Sequence, residues 1–227
     1  MSVARRCCLL ACLALLLPRP ASAQMKVETK GLKAGPIEDA TFVDEAGTKR
    51  SLRDWKDRKA LVVVFLSFEC PVSNSYAQPL ADLFHAFEAR GVAFVGLCPR
   101  DEGDEKQIAK LARDFKIPFQ VFRDRSQEAA RALGARVTPE AFLLDSKFAP
   151  RYRGRIDDGY TARLKPSAKV ARQDLREAIE EVLAGKVVRA PATEAIGCPI
   201  EVVVTAKAKA GAPAYHRDVA PLLQTHW

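Results

Sequence analysis

The run Ala60-Leu61-Val62-Val63-Val64-Phe65-Leu66 constrains this chain more than any other feature. It is apolar at every position and rich in β-branched residues, which favours an extended strand. It has no polar side to turn toward water. Such a strand needs cover on both faces, and a central parallel strand with helices packed above and below supplies it. Four residues further on stands Cys70-Pro71, at the place where that strand should hand over to a helix.

The flanking sequence fits that plan. Residues 24–40 read as an extended lead-in, Thr41–Thr48 as a short hairpin closing on a glycine turn, and Ser51–Trp55 as a brief helical turn. Ser73–Ala89 carries Tyr76, Leu80, Leu83, Phe84 and Phe87 at helical spacing, with Pro79 expected to kink it or end its first turn. Gly91 closes that helix, and Val92–Leu97 reads as a second buried strand. Asp104–Phe115 reads as a helix, Phe119–Phe122 as a short strand, and Ser126–Leu133 as a helix ended by Gly134. Ala141–Leu144 and Arg151–Arg155 follow as a strand hairpin, then Val170–Leu183 as an amphipathic helix stopped by Gly185. This order predicts an α/β sandwich around a mixed sheet. A chain of 227 residues with 48% hydrophobic content supports one such core, and is too apolar to stay disordered.

The formal charge of +8 and the six cysteines both shrink once the amino end is read. Arg5 and Arg6, the apolar run Cys7–Leu17 and the ending Ala21-Ser22-Ala23 have the order of a secretory signal over residues 1–23. The run falls short of the about 20 residues a membrane span needs, so no stable membrane insertion is expected after cleavage. Localisation is therefore expected to be exported, periplasmic or extracellular. Cleavage lowers the charge to about +5. The bases are dispersed among acids rather than interleaved with aromatics, which argues against nucleic-acid binding. Cys70, Cys98 and Cys198 remain, and three thiols cannot all pair internally.

Cys70 holds the chemistry. A cysteine at a strand-to-helix corner faces unsatisfied backbone N–H groups and the positive end of a helix dipole, both of which favour the nucleophilic thiolate. Pro71 sits near the first helical position, where proline is tolerated. Glu69 works against the thiolate if its charge turns inward. The bland reading, a small buried hydrophobe, sits poorly with that corner.

Three stretches then carry a resemblance: Phe68-Glu69-Cys70-Pro71-Val72-Ser73-Asn74, Val137-Thr138-Pro139, and Tyr152-Arg153-Gly154-Arg155-Ile156-Asp157-Asp158. In this order they resemble the redoxin branch of the thioredoxin superfamily, of alkyl hydroperoxide reductase/thiol-specific antioxidant type. The resemblance implies a thioredoxin-like fold with a mixed central β-sheet flanked by helices. It implies Cys70 as the nucleophilic or peroxidatic cysteine, Pro139 as a cis-proline facing it, and Thr138 lining the groove for an extended partner. The departures are specific. Ser73 stands where a Cys-x-x-Cys motif has its second thiol, which excludes a dithiol cycle confined to that motif. Asn74 replaces the second thiol of the copper-chaperone pattern. Ser67 supplies the hydroxyl three residues before the thiol, but Val63 takes the place of the peroxiredoxin proline. Arg136 is the candidate for the arginine that peroxide reduction wants near its thiolate.

Two cysteines are candidates for resolving Cys70. Cys98 ends the second buried strand, on the sheet edge where α/β folds bind ligands. Cys198 lies in Gly197-Cys198-Pro199-Ile200, after the last helix on a return expected to be flexible. His85, His216 and His226 are scattered, so no Cys–His pair, zinc-type cluster or cofactor is expected. Arg151, Arg153 and Arg155 alternate on one face and read as a solvated edge with local ion pairs.

The expected organisation is a signal (1–23), a redoxin domain (30–185), a C-terminal extension (186–204), and a linker with the truncated start of a further module (205–227). The expected function is an exported thiol oxidoreductase, with a peroxide or disulfide as substrate and an external thiol as reductant. The alternatives are disulfide exchange without peroxidase activity, and an inert redoxin-fold docking module.

Overall fold

The computed structural model describes Leu32 and residues 35–201. The expected signal and the tail from residue 205 lie outside the described residues. β1 (Thr41–Val43) and β2 (Lys49–Ser51) form the expected hairpin, and Ser51 caps a 3-10 turn over Leu52–Trp55. Next come β3 (Ala60–Phe65), α1 (Pro71–Ser75), α2 (Ala77–Phe87), β4 (Val92–Cys98) and α3 (Glu105–Asp114). β5 (Val121–Arg123), α4 (Glu128–Leu133), β6 (Val137–Thr138), β7 (Glu140–Asp145) and β8 (Pro150–Gly154) follow. A small hairpin of β9 (Tyr160–Ala162) and β10 (Lys165–Pro166), then α5 (Asp174–Leu183) and β11 (Cys198–Pro199), complete the described chain.

Five strands form the central sheet in the order β5-β4-β3-β7-β8. β3 lies in the middle, parallel to β4 and antiparallel to β7, and all six of its residues are buried. Its period of two divides the core. Ala60, Val62 and Val64 join the layer under α2, α3 and α5, while Leu61, Val63 and Phe65 join the layer under β1 and α4. Each Val or Leu so buried contributes about 1.5–3 kcal/mol relative to exposure. This is the mixed α/β sandwich that the strand's composition demanded.

Two helices and one row of side chains depart most from expectation, each for a local reason. The helix expected over Ser73–Ala89 is two helices that meet at Tyr76, and Pro79 sits in the first turn of α2, where its missing N–H leaves no gap. The last helix starts at Asp174, because the Asp158 carboxylate takes the N–H groups of Ala171 and Arg172 and holds that stretch as a loop. The arginine row is less solvated than expected: Arg153 is largely buried on Glu140 at 2.7 Å, and Arg155 pairs with fully buried Asp174 at 2.7 Å.

The chain beyond α5 does not trail away. Val188 enters the core, Pro191 O accepts from Arg153 N–H at 2.9 Å, and β11 pairs antiparallel with β6. Ile200 is buried in the layer under β1 and α4, and its N–H reaches Arg136 O at 2.8 Å. The return expected to be flexible is a paired strand.

Candidate active site

The end of β3 leads into a turn laced from several directions. Ser67 N–H donates to Ser73 Oγ at 3.1 Å, Asn74 Nδ2 donates to Phe68 O at 2.7 Å, and Cys70 N–H donates to Ser67 O at 3.3 Å. The two residues that displace a second thiol from the motif, Ser73 and Asn74, therefore bind the turn that presents the first. Cys70 is the N-cap of α1, and its sulfur accepts from Ser73 N–H at 3.5 Å. As a thiol it donates to Thr138 O at 3.2 Å. The Thr138–Pro139 bond is cis.

Opposite this turn stands β11. Its register places Cys198 directly across from Thr138, so the strand carries the second thiol onto the first. The approach needs glycine at 197, since a Cβ there would stand 2.1 Å from Thr138 O. Burial pushes the Cys70 thiol up, but hydrogen bonds from the Cys198 thiol, from the Ser73 and Cys198 backbones and from Thr138 outweigh it. The net direction is down, toward thiolate at lower pH. Cys198 moves up, through burial first and then through its hydrogen bond and charge contact with Cys70, with Arg163 opposing. Both sulfurs are free thiols.

Cys98 has a different setting. It is fully buried, its sulfur meets Arg100 O at 3.8 Å, and burial together with the Glu102 charge pushes it up to about 12. The groups that hold Cys70 are Cys198, Ser73 and Thr138, and the groups around Cys98 are Arg100, Glu102 and Arg123.

Of the residues singled out from sequence, the fold gathers Cys70, Pro71, Ser73, Thr138, Pro139 and Cys198. Ser67 lies in the same turn, but its hydroxyl goes to Glu102 Oε1 at 2.5 Å. Arg136 is exposed and joins its neighbours through its backbone, to Glu140 Oε2 and Ile200. The guanidinium beside the second thiol, Cys198, belongs instead to Arg163, on the loop between β9 and β10. Glu69 is exposed and faces Arg100 at 4.0 Å, so its charge turns outward. His85 is exposed beside Glu88. Sequence reasoning missed Glu102 and Arg163. Glu102 sits in the acidic stretch Asp101–Glu105, where composition signals only a solvated loop.

Beside Pro139 a narrow recess is lined by Tyr76, Arg155, Ile156, Asp157, Tyr160 and Ile196. Tyr76 donates to Asp157 Oδ1 at 2.6 Å and Tyr160 to Ser75 Oγ at 3.0 Å, which ties the segment after β8 to the helices after Cys70. Burial and the Asp157 carboxylate hold the Tyr76 phenol well above its usual range.

Two solved structures match most of the described fold. A hypothetical protein from Sinorhizobium meliloti 1021 is 29% identical at a TM-score of 0.68, over 76% of this chain and 96% of that one. An uncharacterized conserved protein from Geobacillus kaustophilus is 26% identical at 0.69, over 77% and 95%. A Chlorobium tepidum protein proposed to be the thiol:disulfide interchange protein DsbE shares the fold at 0.50, with 17% identity over 68% and 97%. No curated protein gives a match. The fold is thioredoxin-like, with its mixed five-stranded sheet flanked by helices. Residues 34–152 match the AhpC/TSA family, and the chain belongs to that family of redoxin-type thiol oxidoreductases.

Proposed function

We propose that this protein is an exported dithiol–disulfide oxidoreductase in which Cys70 attacks and Cys198 resolves. The observation that carries the reading is the Cys70–Cys198 contact, made by the pairing of β11 with β6. The lowered Cys70 thiolate attacks one sulfur of a substrate disulfide, forming a mixed disulfide and releasing the other sulfur as a thiolate. Cys198 then attacks Cys70 Sγ. The Cys70–Cys198 bond forms, the remaining substrate thiolate leaves with a proton, and the substrate has gained two electrons. An external thiol reductant restores both cysteines.

The order of these steps follows from the electrostatics. Burial keeps the proton on Cys198, and while Cys70 is a thiolate its charge adds to that hold. Once Cys70 is in a mixed disulfide that charge is gone, and Arg163 favours the Cys198 thiolate. The first step thus removes one of the effects that keep the resolving thiol protonated, and burial is the one that remains.

Peroxide reduction is the second reading, favoured by membership of the AhpC/TSA family. Against it stand the two groups the sequence offered for peroxide. Ser67 donates to Glu102 and Arg136 is exposed. Titrating the reduced protein with a small disulfide and with hydrogen peroxide, and following Cys70 by mass, decides between them. Rapid mixed disulfide with slow sulfenic acid supports exchange; rapid sulfenic acid reverses the assignment. Cys198→Ser should trap the mixed disulfide on Cys70, and a variant that still turns over would remove Cys198 from the cycle.

A further inference from the structure

Glu102 presents a buried carboxylate that the exchange chemistry leaves unused. Its side chain is 2% exposed. The nearest cation in an ion pair with it is Arg100, whose Nε lies 4.0 Å away, beyond hydrogen-bond length. A buried carboxylate is costly unless its oxygens are satisfied. Here the satisfaction comes from the turn before Cys70: Oε1 accepts the Ser67 hydroxyl at 2.5 Å and Oε2 accepts Phe68 N–H at 2.7 Å.

We infer that Glu102 is a positioning residue for Cys70, on the reading above that Cys70 is the attacking thiol. Ser73 and Asn74 hold the turn from the helix side, through Ser67 N–H and Phe68 O. Glu102 holds it from the other side, out of the loop between β4 and α3. Together they keep Ser67 O where it receives Cys70 N–H, and so keep the sulfur at the N-terminus of α1 within reach of Ser73 N–H. With the outer hold removed, the turn can relax and the sulfur loses that donor. The charged and titratable groups around Cys70 are Cys198, with Arg163 behind it; those around Glu102 are Arg100, Cys98 and, across Arg100, Glu69.

The carboxylate's role in this is geometric, which separates two substitutions. In Glu102→Gln the amide oxygen can accept Phe68 N–H while its NH2 donates to the Ser67 hydroxyl, which turns to accept. In Glu102→Ala both contacts vanish. The test is the pH profile of iodoacetamide alkylation at Cys70 in the reduced full chain, read by mass. Glu102→Ala should move the midpoint up by about one pH unit, slowing alkylation about tenfold at a pH below it. Glu102→Gln should stay within about threefold of the wild type. A folded Glu102→Ala with the wild-type profile overturns the inference, and so does a Glu102→Gln as impaired as the alanine variant. If Glu102→Ala does not fold, Ser67→Ala removes one of the two contacts and should move the midpoint the same way by less; an unmoved midpoint there overturns the inference equally. A wild-type midpoint at the ordinary thiol value would overturn the nucleophile assignment and this inference with it, whereas a lowered wild-type midpoint leaves the first standing and puts only Glu102 at risk.

Discussion

Cys70 and Cys98 follow or end neighbouring parallel strands of one sheet, on the same edge, yet they are opposite kinds of thiol. Cys70 caps a helix, receives N–H and S–H donors and moves toward thiolate. Cys98 sits in the core beside a carboxylate and is pushed up to about 12. Residue type, burial and strand-end position are shared, with exposures of 1% and 0%. The donors differ. A thiol is lowered toward thiolate where hydrogen-bond donors turned toward sulfur outweigh burial, and stays protonated where burial and a negative charge prevail over the groups that oppose them.

The strongest way to break this contrast is to remove the Cys70 thiol. Cys70→Ser should abolish both disulfide exchange and any peroxide consumption, measured by turnover with an external thiol. Activity retained in that variant would sink the mechanism.

Next in size is the pH dependence. In the reduced native protein Cys70 should alkylate with a midpoint below the ordinary thiol value near 9, while Cys98 stays protected until about pH 12 or until the protein unfolds. At neutral pH the two rates should differ by about a thousandfold or more, as their thiolate fractions require. Linkage sets the signs. The lowered Cys70 value makes its contribution to stability complete above pH 9 and lost as pH falls through its folded midpoint. The raised Cys98 value makes its contribution complete below pH 9 and lost as pH rises toward 12. Denaturant midpoints across that range, in wild type and in each single alanine variant, check both.

A smaller effect should follow Gly197→Ala. The added Cβ forces β11 away from Thr138 O, so closure of the Cys70–Cys198 bond should slow about tenfold, as loss of reacting geometry does. The first attack by Cys70 should keep its rate, and stopped-flow separation of the two phases shows whether it does. Smallest of all, Cys98→Ala should leave turnover within about twofold and destabilise the fold by about 1 kcal/mol, the scale of a small core deletion. A large loss of activity there would mean that Cys98 belongs to the cycle.

Much of this was legible along the chain. The β3 strand, the helix after Cys70, the hairpin of β7 and β8 and the mixed sheet all follow from local periodicity and turn chemistry. Cys70 was legible because its strand-to-helix corner, with Pro71 and Ser73 beside it, is local, although the Cys198 and Thr138 hydrogen bonds that also lower it are not. The choice between Cys98 and Cys198 stayed open because it depends on a two-residue strand with no periodicity of its own. Arg136 was the nearest arginine in sequence to Thr138-Pro139, but Arg163 reaches Cys198 from another hairpin. Glu102 lies in an acidic stretch that composition assigns to solvent, and only its contacts with Ser67 and Phe68 show it buried.

By itself the sequence determined that an apolar strand must lie in the middle of a covered sheet and that a cysteine must sit where it ends. An all-apolar strand has one stable environment, and a helix N-terminus begins within a few residues of its own thiol. Tertiary structure decided which second thiol meets the first and what holds the turn in place. Those contacts join residues far apart in the chain, and only the pairing of β11 with β6 and the packing of the loop after β4 against the turn bring them together.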